Sequence, residues 1–177
     1  MKYLILSDIH GALDSCLFLE EEFKKGSYDQ ILLLGDVLYH GPRNDLPPTY
    51  NPKKCIEIIN SLKDKILCIK GNCEAEVDEM VLDFPILDSY TAILNGISTH
   101  LEHGHHLDLY TGDAKLVLYG HTHIPDNSLD PKGYHKINPG SISIPKANSK
   151  RGFAVWEDKT ITLYTIDKEI VSTYTYE

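Results

Sequence analysis

Positive charge is scarce in this chain of 177 residues: 17 Lys and Arg stand against 26 Asp and Glu, a formal net charge of −9. That balance argues against a broad groove for duplex nucleic acid, which needs clustered basic side chains. It still admits a small phosphorylated ligand, because bound metal ions can supply positive charge locally. Long apolar runs are also lacking, and none approaches the roughly 20 residues of a membrane helix. No membrane partner is therefore expected. The first residues enter a strand pattern directly, without the basic, apolar and small-residue zones of a signal peptide. Cysteine is limited to Cys16, Cys55, Cys68 and Cys73, which show no paired spacing. Free thiols and a cytoplasmic location are the expectation. There is no G-x-S-x-G elbow of a serine hydrolase. There is also no linker, fixed-period repeat or low-complexity segment, so residues 1–177 read as a single domain long enough to bury a core.

What the chain does have is a repeated pairing of apolar run, glycine and metal-type side chain. Tyr3-Leu4-Ile5-Leu6 leads into Ser7-Asp8-Ile9-His10-Gly11, and Ile31-Leu32-Leu33-Leu34 into Gly35-Asp36. Ile66-Leu67-Cys68-Ile69 leads into Gly71-Asn72-Cys73, and Ile97-Ser98-Thr99-His100-Leu101 into His103-Gly104-His105. Leu116-Val117-Leu118-Tyr119 leads into Gly120-His121-Thr122-His123. Short apolar runs of this kind read as buried strands. Asp8 and His10, two apart on an extended chain, are expected to point the same way. A carboxylate and an imidazole at the mouth of a core strand are costly to bury unless compensated, as a divalent ion would do. Glycine beside each ligand permits a strained backbone or a close approach. Ligands at the carboxyl ends of strands also match the usual place of sites in α/β sheets.

In chain order, Ala12, Cys16, Leu19 and Phe23 predict an amphipathic helix over about 12–24, closed by Gly26. Its acidic patch Glu20-Glu21-Glu22 reads as a solvated face. A second strand over 28–34 precedes a long loop, Tyr39 to Pro48, of a kind often functional. Asn51-Pro52 predicts an N-cap with proline at the first helical position, and Cys55, Ile58, Ile59 and Leu62 supply the inward face. With a third strand ending at Lys70, this is a β-α-β-α-β half with parallel strands. Beyond it come a short helix over 74–82 and strands over 90–95 and 97–101 about the hairpin turn Asn95-Gly96. Antiparallel strands are expected from His123 onward, turning near 130–133 and 157–159. Two packed sheets with helices outside is the architecture implied.

Taken together, these five motifs resemble the calcineurin-like metallophosphoesterase superfamily over almost the whole chain. Gly41-Pro42-Arg43-Asn44, Gly71-Asn72-Cys73 and Asn138-Pro139-Gly140-Ser141 narrow the resemblance to the small bacterial YfcE-type phosphodiesterases. The resemblance implies an α/β fold, a four-layer αββα sandwich of two mixed sheets, with two divalent metal ions at the strand ends. One ion would take Asp8, His10, Asp36 and His123; the other would take Asp36, Asn72, His103 and His121, with Asp36 bridging. Mixed oxygen and nitrogen ligands suit Mn²⁺, Fe²⁺, Co²⁺ or Zn²⁺, and Mn²⁺ is the family's preference. The implied reaction is hydrolysis of a small phosphodiester by a metal-bridging hydroxide, with Asn72 helping to meet charge on the phosphoryl oxygens. A scaffold of the same fold, like the retromer subunit, or a phosphomonoesterase is the alternative; the filled ligand set favours an enzyme. A homodimer or homotetramer, closed through apolar strands near the C-terminus, stays open.

Arg43 has two readings, a fork onto a substrate phosphate or a surface pair with Asp45. His105 is expected to support His103 or line the pocket. His40, His100, His106 and His135 read as ordinary loop or strand histidines, Asn138 to Ser141 as a turn packed near the site, and the 11 tyrosines as strand formers. Many superfamily members carry His after Gly-Asn, where it can protonate the leaving oxygen, and here the residue is Cys73. Either Cys73 packs beneath the metals, or it acts as a weak donor that favours acidic leaving groups. Replacing Cys73 with His is expected to raise turnover of diesters with poor, alkyl-type leaving groups. Steady-state rates on a leaving-group series check this, and an unchanged slope would leave Cys73 a packing residue.

Overall fold

Strand β1 (Lys2–Leu6) is buried on both faces, and its two sets of side chains define two cores. Tyr3 and Ile5 point one way, Leu4 and Leu6 the other, as the two-residue strand period requires. The computed structural model describes residues 1–177. β1 pairs in parallel with β2 (Gln30–Leu33), and β2 with β3 (Ile66–Ile69). The crossovers are α1 (Leu13–Gly26) and α2 (Pro52–Asn60). Then follow α3 (Glu76–Val81), β4 (Ile86–Leu87), β5 (Tyr90–Leu94), β6 (Ile97–Leu101) and β7 (Leu116–Leu118). The chain closes with β8 (Pro125–Leu129), β9 (His135–Pro139), β10 (Gly152–Glu157), β11 (Thr160–Thr165) and β12 (Ile170–Thr175). Seven strands form one mixed sheet in the order β12-β11-β10-β1-β2-β3-β4, and five form the other, β5-β6-β7-β9-β8.

Between the sheets lie Tyr3, Ile5, Leu32, Leu34, Leu101, Leu118, Ile137 and Trp156. Beneath the helices lie Leu4, Leu6, Ile31, Leu33, Cys16, Leu19, Cys55 and Ile59. Strands sandwiched in this way read as unbroken apolar runs, as Ile31 to Leu34 does. The Asn95-Gly96 hairpin forms as expected, with φ of 46° and 86° joining Leu94 to Ile97. Asn51 caps α2 by accepting from the Lys54 amide at 3.3 Å, with Pro52 opening the helix.

Three expectations shift in detail. Gly26 is the last residue of α1, and it is Ser27, at φ 54°, that takes the left-handed conformation ending it. β8 and β9 are antiparallel, but β9 runs parallel to β7, because the chain returns beside β7 before crossing to the other sheet. The helices α1 and α2, and the residues just after α3, bury apolar side chains against the seven-stranded sheet. The outer layer on the five-stranded sheet is a loop with one 3-10 turn (Leu107–Leu109), where the Tyr110 ring stacks 4.3 Å from His100. No helix is long and apolar enough to cross a membrane.

Candidate metal centre

The parallel ladder between β1 and β2 does not stop where the strands do. The Asp8 amide donates to the Gly35 carbonyl at 3.1 Å, that of His10 to Asp36 at 2.9 Å and that of Gly11 to Val37 at 2.9 Å. These bonds lock the two first ligand loops side by side. The backbone within them is not extended: Asp8 (57°), His10 (50°), Asp36 (56°), His121 (68°) and His123 (61°) all have positive φ. Asp8 and His10 thus converge through left-handed turns rather than through strand alternation. A left-handed conformation costs roughly 1–2 kcal/mol for a residue with a Cβ, and such strain gathers where a site needs it. The adjacent glycines give the room. A Cβ on Gly35 (φ 93°) would sit 2.6 Å from His103 Nδ1, and one on Gly71 would collide with the Asp36 carboxylate.

Each of three buried imidazoles is oriented by a backbone carbonyl. Nδ1 of His10 donates to Tyr39 O at 2.7 Å, that of His103 to Leu34 O at 2.6 Å and that of His123 to Ile144 O at 2.7 Å. A carbonyl can only accept, so Nδ1 carries the proton and the Nε2 lone pair faces inward. His10 Nε2 and His123 Nε2 then stand 3.2 Å apart with no hydrogen between them in the neutral state. Asp8 Oδ1 lies 3.3 Å from His123 Nε2 and 3.7 Å from His10 Nε2; Asp36 Oδ2 lies 3.3 Å from His103 Nε2 and 3.7 Å from His10 Nε2. Asp8 Oδ1 and His103 Nε2 are fully buried and make no hydrogen bond. Buried polar atoms without partners are costly, and a cation is the partner this donor set fits. Asp8, His10 and His123 form one cluster able to hold an ion, and Asp36, His103 and His121 another.

Burial by itself would raise the Asp8 carboxyl, but His10 and His123 hold it well below the usual carboxylate range. Asp36 is likewise lowered: burial opposes this, and His103 outweighs it. Burial would lower His103, yet Asp36 and Asp8 raise it to about 9.

Asn72 is exposed at the rim, its Nδ2 3.3 Å from Cys73 Sγ. Together with Asp36, His121 and His123, it lines a cavity of about 330 Å³ that also contains Arg43, Cys73 and Lys146. Arg43 makes no ion pair with Asp45, so its second reading, the surface pair, fails. Burial and the Asp36 charge push the Cys73 thiol up to about 12, so it is neutral at ordinary pH. The exposed His105 ring lies 5.6 Å from that of His103 and 6.0 Å from that of His121, beside both but bonded to neither. His100 stays outside the site and bonds Thr91. The turn at Asn138 to Ser141 does pack on the site: Asn138 Nδ2 donates to Gly120 O, and Ser141 and Ser143 hydroxyls both donate to Asp8 O.

The chain resembles known proteins along most of its length. A calcineurin-like phosphoesterase superfamily domain matches residues 1–160. The chain belongs to the calcineurin-like phosphoesterase superfamily. Among its relatives in that superfamily, phosphodiesterase YfcE of Escherichia coli K12 is 35% identical over 176 residues, 97% of this chain and 95% of that one. The solved structure of the E. coli YfcE phosphoesterase superposes with a TM-score of 0.93 at 34% identity, covering 99% of each chain. A zinc-complexed Vps29 from Entamoeba histolytica shares the fold, with a TM-score of 0.63 at 20% identity over 99% of each chain.

Two contributors were missed by sequence reasoning. Glu74 turns its carboxylate inward and accepts from the amides of Asp36 (2.9 Å), Val37 (2.6 Å) and Gly71. Only its place, directly after Gly71-Asn72-Cys73, hinted at it. Lys146 comes from a loop that carries none of the five motifs, so no local signal marked it. Replacing Glu74 with Gln sets an amide donor against backbone donors and loosens the Asp36 loop. We expect divalent-ion affinity, measured by calorimetry, to fall about 10–100-fold. For metal-stripped protein the raised His103 sets the pH dependence. A group raised from 6.5 to about 9 stabilises the fold fully below pH 6.5 and loses that contribution as pH climbs through 9. Thermal unfolding should show the midpoint falling across that interval, and saturating divalent ion should flatten the fall.

Proposed function

We propose that the chain is a metal-dependent hydrolase of small phosphodiesters. The observation that carries this reading is the inward lone pairs of His10, His103 and His123, set against the buried Asp8 and Asp36 carboxylates. They occur in a chain 35% identical to a phosphodiesterase. Asp8, His10, Asp36 and His123 would hold one divalent ion, and Asp36, Asn72, His103 and His121 a second. Asp36 can serve both because its Oδ2 faces His10 as well as His103. Mixed carboxylate, amide and imidazole donors suit Mn²⁺ best on family grounds, with Fe²⁺, Co²⁺ and Zn²⁺ chemically compatible. Such ions, when bound, supply the positive charge that polarises a phosphoryl group and acidifies water.

The chain's own residues do the rest. The three carbonyl-anchored imidazoles keep their Nε2 atoms fixed, so little rearrangement accompanies the reaction. Asn72, which lines the cavity, would donate an amide hydrogen to a phosphoryl oxygen. Arg43 in the same lining offers a guanidinium fork to an anionic group of the substrate. Cys73, a neutral thiol, offers the leaving oxygen only a weak hydrogen bond, which favours esters whose alcohol leaves easily. Cys73 also borders an apolar groove of about 440 Å³ walled by Tyr39, Tyr50, Ile56 and Val77. That space beside the cavity suits the organic group of a diester better than a bare monoester. The enzyme reading is preferred to a scaffold of this fold because the chain is 35% identical to a phosphodiesterase over 97% of its length. The free thiols Cys16, Cys55 and Cys68 fit a reducing cytoplasm. Ile170 and Val171 on the edge strand β12 are exposed apolar surface that a second copy would cover, in a homodimer or a homotetramer.

The test is hydrolysis of an activated aryl phosphodiester by metal-stripped protein after Mn²⁺ is added back. Activity should return with Mn²⁺. It should fall in Asp36→Asn by more than the roughly 10–100-fold that outer-shell changes cost, since a neutral amide bridges two ions poorly. Silence with Mn²⁺, Fe²⁺, Co²⁺ and Zn²⁺ alike would overturn the reading.

A further inference from the structure

Two cations enter the cavity from loops far apart in sequence. Arg43 stands on the loop after β2, where Asn44 Nδ2 ties the segment back to His40 O at 2.8 Å. Lys146 stands on the loop between β9 and β10, and its backbone is pinned to a candidate ligand: its amide donates to His123 O at 3.2 Å, while Ile144 O holds His123 Nδ1 at 2.7 Å. Ser149 closes the same turn, its hydroxyl donating to Lys146 O at 2.7 Å. The turn passes through Ala147 and Asn148, with φ of 53° and 58°. A strained, anchored turn therefore carries Lys146 to the cavity wall. Neither cation has a carboxylate partner, although the chain has a formal net charge of −9. Asp36 is the sole carboxylate in the lining.

Charge balance says what these cations are for. Two divalent ions against Asp8 and Asp36 leave a charge of +2, which a hydroxide and one singly charged phosphodiester neutralise. Arg43 and Lys146 add a surplus that such an ester does not need. We propose that Arg43 and Lys146 form an anion subsite beside the metal centre, and that the natural substrates are phosphodiesters bearing a second negative group, a phosphate or a carboxylate. The inference rests on the phosphodiesterase reading above. It assigns Lys146 the choice among substrates rather than any part in bond breaking.

The experiment compares two diesters with the same leaving group, 4-nitrophenyl phenyl phosphate and its 3-carboxyphenyl counterpart, on Mn²⁺-loaded protein. The carboxylated diester should have the lower KM. Lys146→Gln should raise that KM about fivefold more than the KM of the phenyl diester, the scale of one exposed charge pair, and Lys146→Arg should restore the preference. Calorimetry with the two non-hydrolysable phosphonate analogues should reproduce the ratio as affinities. Equal KM values in the parent protein, or an equal change on both esters in Lys146→Gln, would overturn the subsite. If neither ester is hydrolysed, the phosphodiesterase reading fails, and the calorimetric ratio still decides whether the second anion is recognised.

Discussion

Everything at this site depends on one electrostatic constraint, which is that two carboxylates and three imidazole lone pairs are buried together with too few protons among them. Asp8 is fully buried and Asp36 nearly so, and the atoms that face them are nitrogens whose other ring position is already committed to a carbonyl. Without a cation, the cluster can be neutralised only by protonating imidazoles, which is why His103 is raised to about 9. A divalent ion resolves the same imbalance without protons. Metal affinity and proton affinity are therefore two expressions of one buried charge pattern.

The fold is arranged to hold that pattern against its own repulsion. The β1–β2 ladder runs on into the ligand loops, so Asp8, His10 and Asp36 are fixed by backbone bonds rather than by side-chain packing. Hydroxyls of Ser141 and Ser143 anchor the Asp8 carbonyl, and the Glu74 carboxylate gathers three amides around the Asp36 loop. Five ligand-type residues adopt left-handed backbone conformations, which is tolerable only because two cores, one on each face of the seven-stranded sheet, over-determine the strand ends. Stability stored in the layers is spent on strain at their rim.

Around this rigid centre the variable chemistry sits on loops. Cys73 and Asn72 come from the turn after β3, Arg43 from the long loop after β2, and Lys146 from the crossing between sheets. Loops of this kind can change the organic and anionic groups accepted while the metal-holding geometry stays the same. The Vps29 structure shares the fold at 20% identity, and a fold does not by itself fix function, so function here is argued from the site.

The sequence by itself determined most of the strands, the crossover helices, the Asn95-Gly96 hairpin and the residue types that gather at the strand ends. These follow from local periodicity, capping and turn chemistry, together with Gly next to Asp, Asn or His at each strand end. What only the tertiary structure decided depends on groups brought together from distant parts of the chain. Glu74 could not be singled out, because its role exists only through amides 37 and 38 residues away and one across a tight turn. Lys146 could not be read at all, since its place follows from a loop whose backbone is pinned to His123, 23 residues away. The left-handed conformations at Asp8 and His10 also contradict the alternation that their spacing suggested. Spacing reports an unstrained strand, whereas here the ladder beyond the strand imposes the turn.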